Sequence, residues 1–426
     1  MKIVPPIHLR PSVFQPDTRR ILERGYASVA HVPVIFDHDE KYLRWPNWYL
    51  RDRAEGDWHP SDFASRVPRP QTLRAIAHNL VQWIWWSHSR GIAWSQASYR
   101  DILAFQDEQN SGQWSASHRP LATTTSNARA DDATHFLQWA SDRRLRSSLD
   151  VPYGTRRLQI AGRLRTVTVR AGRLRGPGPG SRVDRFVLPR PVQVRDWLQS
   201  LKAKRGYAKY LTCRFILEVG PRVGEVEALQ VSSWPDAGSI DEAANRQDVS
   251  VPMLLIHGTK GGNERTVRIP LDYAKEVRDW IDGPRNKYVY ARHKRGDPRT
   301  DLVFVSDAAG WAGTPIRRHT ISDCFREIAP RPAGWHPHKG RHAFACFFIL
   351  YALETEALGH GSSVAGMGAN WVYNRGSEWI TILQRQLGHC DEATTQSYLR
   401  WLVTASGLAE AANGWHRLLN SSEQAS

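Results

Sequence analysis

The chain has 426 residues, 41% of them hydrophobic and 23% charged, which is an ordinary globular composition with material for two or three domains. Lys and Arg outnumber Asp and Glu by 58 to 42, and a net charge of +16 favours a polyanionic partner. No membrane span and no signal peptide are predicted, because the sequence lacks an apolar run of about 18 residues and an apolar N-terminal core. The four cysteines are far apart, which argues against a zinc site or a disulfide framework and suits a reducing cytoplasm.

The first part of the chain separates into a segment without periodicity and a helical domain. Residues 1–68 are rich in proline, tryptophan and charge, and no role is predicted for them. From Leu73 onward, apolar residues recur at helical spacing, and Ser95 or Ser98 is expected to cap the next helix. A third helical pattern follows, so residues 69–150 are predicted to form a small helical domain.

An arginine-rich linker is predicted over residues 151–190. Asp184 is its one acidic residue after Tyr153, and a Gly-Pro repeat from Gly176 rules out regular structure there. Part of the linker alternates apolar residues with arginine and is compatible with a basic β-hairpin. The alternative is a solvated loop, but a strip so poor in acids is expected to follow a phosphate backbone. The predicted DNA contacts are Arg156, Arg157, Arg163, Arg165, Arg170, Arg173, Arg175, Arg182 and Arg185.

Residues 191–426 predict a second, larger domain. Helical patterns dominate, and two β-like runs, residues 249–256 and 265–270, flank a glycine-rich turn. The fold class expected is therefore mainly α with a small β-hairpin, an α+β domain following an all-helical one.

Two segments of this domain carry candidate catalytic side chains that are weak signals when taken alone. Arg222 in PRVGEVEAL is followed three residues later by Glu225 on the next helical turn, which is also the pattern of a surface ion pair. Lys260 lies at the predicted hairpin turn, where a lysine is usually just solvated.

Two later segments are more specific. In HPHKGRHAF, His338, Arg341 and His342 form an H-x-x-R-H box, and near the end an LGH triplet contains His389, nine residues before Tyr398. A second LGH contains His360, but no tyrosine follows it at that spacing, so His360 is expected to be a loop or core histidine.

These residue types match the chemistry of breaking a DNA strand through a tyrosine. A tyrosine hydroxyl that attacks a phosphodiester keeps the bond energy in a covalent intermediate. Arginine forks neutralise the non-bridging oxygens, and a histidine can exchange a proton with the tyrosine. Side-chain cations supply the charge, so neither a metal nor another cofactor is expected.

In their order and spacing, these boxes resemble the tyrosine recombinases, the phage-integrase-like family. The resemblance implies a helical core-binding domain that clamps DNA and a tyrosine recombinase catalytic domain. It implies that Tyr398 is the nucleophile, that Arg222, Arg341 and His389 hold the phosphate, and that Lys260 protonates the leaving 5′-oxygen. His338 would serve the tyrosine as base and later acid, with Glu225 and His342 supporting the site.

The sequence departs from the family pattern in three places. Pro221 precedes the first arginine, and Lys339-Gly340 replaces an acidic residue followed by leucine. The spacing from Arg341 to His389 is long, and the excess is expected to be an inserted loop within residues 357–376.

The implied partner is double-stranded DNA, bound by a homotetramer in a synaptic complex and by a monomer or weak oligomer otherwise, in the cytoplasm at the nucleoid of a bacterial-type cell. The implied function is site-specific recombination, such as the movement of a mobile element. Alternatives are a type IB topoisomerase, which reseals one duplex as a monomer, a non-catalytic DNA-binding protein of the same fold, and a generic basic structural protein.

Overall fold

A computed structural model of the chain describes residues 10–60, 67–115, 118–160, 163–174, 189–256 and 264–388. Its contacts divide the chain into two compact units, Met1–Gly178 and Pro179–Ser426. Among the described residues, no helix is both long enough and apolar enough to cross a membrane.

The first unit contains five helices and two small antiparallel sheets within the described residues. In chain order these are β1 (Ser12–Phe14), α1 (Thr18–Glu23), β2 (Val34–Phe36), α2 (Arg44–Glu55), α3 (Pro70–Ser89), α4 (Tyr99–Asn110), α5 (Thr123–Asp142), β3 (Tyr153–Ile160) and β4 (Arg163–Arg170). Strand β1 pairs with β2, and β3 pairs with β4 in a hairpin.

Helices α3, α4 and α5 confirm the helical patterns predicted before residue 150. Ser98 is the cap of α4, since its backbone N–H and its hydroxyl both donate to Asp101, at 2.8 and 2.7 Å. Trp83 and Trp86 of α3 stack 5.4 Å apart in the core, and both are almost fully buried, as is Trp139 of α5. Large aromatic side chains therefore fill the centre of this unit.

The segment before residue 69 shares this core. Ile35, Tyr49 and Leu50 are fully buried in the same cluster as Leu73 and its neighbours. The Asn47 side chain bonds both the N–H and the C=O of Ile35, at 2.7 and 2.8 Å. The boundary predicted at residue 68 therefore does not coincide with a break in packing.

The second unit is mainly helical with one hairpin, which confirms the predicted fold class. Its regular elements in the described residues are α6 (Pro191–Arg205), α7 (Tyr207–Val219), α8 (Val223–Glu227), α9 (Ala237–Asn245), β5 (Ser250–Leu255), β6 (Arg265–Pro270), α10 (Leu271–Trp280), α11 (Asn286–His293), α12 (Arg318–Glu327), α13 (Pro337–Gly359) and α14 (Gly368–Leu387). Strands β5 and β6 pair antiparallel, with Leu255 opposite Arg265.

Helix α7 runs through the main core of this unit. Its side chains Leu211, Phe215 and Ile216 are fully buried, and it packs against α6, α12 and α13. A second cluster joins the middle of α13 to α14 through residues such as Ile349 and Leu383.

One expectation for the last part of this unit was wrong. The predicted inserted loop is helical from Gly368 onward, because side chains such as Val372 are buried against α13. Phe344, Phe347 and Phe348 are half-buried, and the fully buried face of α13 consists of smaller side chains, including Ala345 and Cys346. His360, at the end of α13, is exposed, in agreement with the expected loop histidine.

Candidate active site

Arg222 stands at the N-terminus of the short helix α8 and is tied to Glu225 one turn later. Its backbone N–H donates to Glu225 Oε2 at 2.7 Å, and its Nη1 donates to Glu225 Oε1 at 3.2 Å. Its Nη2 donates to the carbonyl oxygen of Gly388 at 3.0 Å. The Arg222 side chain is 29% exposed while Glu225 is fully buried. Glu225 and the Gly388 carbonyl therefore hold this arginine on its protein side, and part of its side chain remains open to solvent.

Sequence reasoning missed Arg265, the second cation on Glu225. Its Nη1 and Nη2 donate to the two carboxylate oxygens of Glu225 at 2.6 and 2.8 Å. Burial raises the pKa of Glu225, but the hydrogen bonds and charge of Arg265, aided by Arg222, outweigh it and leave that pKa below its usual value. The sequence could have predicted this pair. Strand alternation places Arg265 on the same buried face as Val267 and Ile269, where the charge of an arginine must be compensated by an acidic side chain.

Arg341 forms the floor of the site. Its side chain lies on the first turns of α13, is 2% exposed, and donates to the carbonyl oxygens of Gly220 and Leu387 at 2.5 and 2.6 Å. The preceding Gly340 explains one departure from the family pattern, since a Cβ there would lie 2.8 Å from the Phe325 ring. A leucine would not fit where α13 packs this closely on α12.

The C-terminus of α14 brings three arginines together. The carbonyl oxygens of residues 386–388 have no partner within the helix, and each accepts a hydrogen bond from a different guanidinium. Arg265 donates to the first at 3.1 Å, Arg341 to the second at 2.6 Å and Arg222 to the third at 3.0 Å. Cations are favourable at this negative end of a helix dipole.

Gly388 occupies a left-handed conformation, with φ at 63°, and a Cβ there would lie 2.7 Å from Arg265 Cδ. We expect Gly388→Ala to lower the free energy of unfolding by about 2–4 kcal/mol, the sum of left-handed strain and overlap. Urea unfolding measures this loss. Gly361→Ala is the matched control, because Gly361 also has a left-handed φ, of 66°, but open space around its Cβ. Equal losses in the two variants would contradict the close approach.

Three histidines surround the N-terminus of α13. His336 caps the helix, and Nε2 of His338 lies 2.9 Å from Nε2 of His342. Burial lowers the pKa of His338 below its ordinary value, and the charges of Arg341, His336 and Arg222 lower it further. Among the described residues, no three His, Cys, Asp or Glu side chains are arranged to hold a metal ion.

Three of the predicted catalytic residues, Lys260, His389 and Tyr398, lie outside the described residues. Lys260 belongs to the segment that connects the paired strand ends Leu255 and Arg265, and His389 follows Gly388 directly in the sequence. The structure thus brings Arg222, Glu225, Arg341, His338 and His342 into one region.

One predicted DNA contact, Arg170, is corrected by the structure. Its side chain is 4% exposed, with its Nε 2.6 Å from an oxygen of Asp131, and it donates to Tyr99 and Gln106. Arg170 therefore anchors the hairpin to α4 and α5 and is not available to a phosphate. Arg173 is 40% exposed and pairs with Asp131 at 2.5 Å. The side chains of Arg156, Arg157, Arg163, Arg165, Arg175, Arg182 and Arg185 lie outside the described part of the chain.

Fold and site together define a chain of the tyrosine recombinase fold. A solved structure of the XerH site-specific recombinase, a post-cleavage complex with a palindromic difH substrate, matches 87% of this chain and 89% of that one. The TM-score is 0.51 and the sequence identity 14%. At this identity the match shows the fold alone.

Curated relatives carry the family comparison further. Tyrosine recombinase XerC of Lactobacillus delbrueckii subsp. bulgaricus is 27% identical over 154 residues, 35% of this chain and 40% of XerC. Tyrosine recombinase XerD of Ralstonia nicotianae is 24% identical over 334 residues, 77% of this chain and 82% of XerD. No family model matches the sequence. The chain spans about two fifths of the XerC relatives' length, and its resemblance to the tyrosine recombinase family is confirmed.

Proposed function

We propose that this protein is a site-specific DNA recombinase that cuts and rejoins double-stranded DNA through a 3′-phosphotyrosine intermediate, as in the movement of a mobile element. One observation carries the proposal. Arg222 and Arg341, 119 residues apart in sequence, both bind the main chain that directly precedes His389. These contacts support the proposal, because Arg222 and Arg341 are the proposed phosphate-binding pair and the proposed nucleophile, Tyr398, follows ten residues after Gly388 in the sequence.

In the proposed reaction, the oxygen of Tyr398 attacks the scissile phosphorus while the bond to the 5′-oxygen breaks. The 5′-oxygen takes a proton from Lys260 and leaves as a hydroxyl, and His338 accepts the tyrosine proton. The reverse attack by a 5′-hydroxyl of a second strand restores the phosphodiester and frees the tyrosine.

In the transition state the phosphoryl group carries extra negative charge, which Arg222, Arg341 and His389 would stabilise. The Arg222 side chain is 29% exposed to solvent, and Arg341 contributes its charge from a buried position beneath it. Because the two arginines are already fixed by Glu225 and by main-chain carbonyls, they require little reorganisation at the moment of reaction.

The rate of cleavage is expected to fall at acidic pH. His338 must be neutral to accept a proton, and its pKa is lowered from the ordinary 6.5, so the neutral form persists below pH 6.5. The rate should be flat near neutrality and reach half its maximum below pH 6.5 in single-turnover cleavage assays. His338→Asn should remove this acidic limb and His360→Gln should retain it. A midpoint above pH 6.5 would contradict the assigned base.

The function is tested with a nicked suicide substrate taken from the DNA that flanks the protein's own gene. Cleavage should leave an SDS-resistant adduct with the protein on the 3′-phosphate and a free 5′-hydroxyl that a kinase can label. The absence of any adduct on this and on other supercoiled or nicked DNA would overturn the proposal.

Recombination also requires strand exchange, which separates it from topoisomerase action. Two DNA duplexes with different labels should yield hybrid products, in a complex whose mass corresponds to four protomers on two duplexes. Relaxation of supercoils by a monomer without hybrid products would favour the type IB alternative.

An enzyme with this substrate would act in the cytoplasm at the nucleoid.

We also propose that the remaining arginines predicted on the hairpin and after it contact DNA phosphates. Replacing Arg156, Arg157 and Arg163 with glutamine should weaken binding to all sequences alike and lower the slope of log K against log salt by about three, roughly one per phosphate contact. A loss restricted to one DNA sequence would contradict this role.

A further inference from the structure

The contacts of Arg265 point to a role inside the site that differs from that of Arg222. Its side chain is 10% exposed, and its Nε, Nη1 and Nη2 all donate to protein oxygens, those of Gln386 and Glu225. Arg222, in contrast, is 29% exposed. All three donor nitrogens of Arg265 therefore bind protein, whereas Arg222, although it also binds Glu225 and Gly388, is more open to solvent.

Charge balance gives Arg265 a consequence for the substrate. The buried carboxylate of Glu225 accepts from two guanidiniums, so the three groups together carry one net positive charge. Without Arg265, Glu225 and Arg222 would form a neutral pair, and the carboxylate would draw the Arg222 fork inward. A phosphate would then meet less positive charge, and that charge would be held in a different orientation.

A second set of contacts ties the strand of Arg265 to the end of α14. The Gln386 side chain accepts from the N–H of Arg268 at 2.9 Å and donates to the carbonyl of Arg268 at 3.0 Å and that of Val219 at 3.1 Å. Together with the Arg265–Gln386 bond, these contacts join β6, the end of α7 and the residues before His389. Gln386 lies where all three meet, and Arg265 donates to its carbonyl oxygen.

We propose that Arg265 is a positioning residue, which holds Glu225 so that Arg222 keeps its charge and its orientation for the scissile phosphate. The inference rests on the proposed strand-transfer function. It extends that function to a residue outside the phosphate-binding set, which acts through Arg222 and not by touching the DNA.

The test compares Arg265→Lys and Arg265→Ala with the matched control Arg268→Lys, on the same strand. Arg268 is exposed and its guanidinium bonds Ser250. In single-turnover cleavage at saturating suicide substrate, Arg265→Lys should slow adduct formation by roughly 30-fold or more. Lysine keeps the charge but lacks the planar guanidinium that binds both carboxylate oxygens of Glu225. The Kd for intact DNA should change by less than about threefold, since the exposed DNA-facing charge is retained. Arg268→Lys should cleave at the wild-type rate.

A double-mutant cycle identifies the route of the effect. If Arg265 acts through Arg222, then Arg222→Lys combined with Arg265→Lys should be no slower than Arg222→Lys alone. Multiplicative losses would show that Arg265 acts independently and would overturn the inference, as would full activity of Arg265→Lys.

A readout without DNA separates this inference from the proposed function. The Arg222 amide donates to Glu225 at 2.7 Å, so its hydrogen exchange reports whether the carboxylate stays in place. Arg265→Lys should accelerate exchange at this amide by about tenfold or more while the amides of α7 keep their protection. Unchanged exchange overturns the positioning role whether or not the wild type cleaves. If the wild type forms no adduct but exchange is faster in Arg265→Lys, the proposed function is wrong and the positioning role of Arg265 stands.

Discussion

Changing Tyr398 to phenylalanine is expected to abolish the covalent protein–DNA adduct completely while leaving DNA affinity unchanged. Phenylalanine keeps the ring and removes the one atom that would form the bond to phosphorus. Denaturing gels of a labelled suicide substrate measure the adduct, and a filter or mobility assay of intact DNA measures affinity. Residual cleavage should be absent as well, since no other nucleophile is proposed.

The control for this variant is Tyr373→Phe. Tyr373 lies on α14, is 54% exposed and has no proposed role, so its variant should form adduct at the wild-type rate. An adduct in Tyr398→Phe, or its loss in Tyr373→Phe, would show that the nucleophile has been misassigned.

Arg341→Ala is expected to have the second largest effect, on both cleavage and stability. Loss of a preorganised cation should slow adduct formation by about 10²–10³-fold or more. The carbonyl oxygens of Gly220 and Leu387 would also lose their buried donors, at about 1–3 kcal/mol each. Single-turnover cleavage and urea unfolding measure the two effects on the same preparation.

Arg341→Lys separates these effects, because lysine keeps the charge and at most one of the two carbonyl contacts. It should unfold at a higher urea concentration than Arg341→Ala yet remain strongly impaired in cleavage. Arg326→Ala is the control, since Arg326 is 62% exposed, pairs only with Asp323 among the described residues and should change unfolding by less than about 1 kcal/mol. Normal cleavage by Arg341→Lys would contradict the proposed role of the guanidinium.

Patterns that depend on neighbours in sequence predicted the fold well. The helical spacing from Leu73 defined α3, the Ser98 cap marked the start of α4, and the two β-like runs became β5 and β6. In each case the information is local, because a helix or strand that buries one face must repeat its apolar residues with its own period.

The errors arose where a distant partner decides the outcome. Arg170 looked like a surface cation, yet Asp131, 39 residues earlier, holds it inside the first unit. The glycine-rich stretch from Gly368 looked like a loop, but burial against α13 outweighs its weak helix propensity. Arg265 was overlooked because its acid, Glu225, lies 40 residues away, although strand alternation already placed it on the buried face.

The packing of residues 10–60 determines how the helical unit can be produced as a fragment. A truncation that begins at residue 69 would strip Ile35, Tyr49 and Leu50 from α3 and α5, uncovering apolar surface worth roughly 1.5–3 kcal/mol per side chain. Such a fragment should be prone to aggregate. A stable fragment must start ahead of β1, so the opening stretch, for which the sequence predicted no role, sets the minimum length for expression.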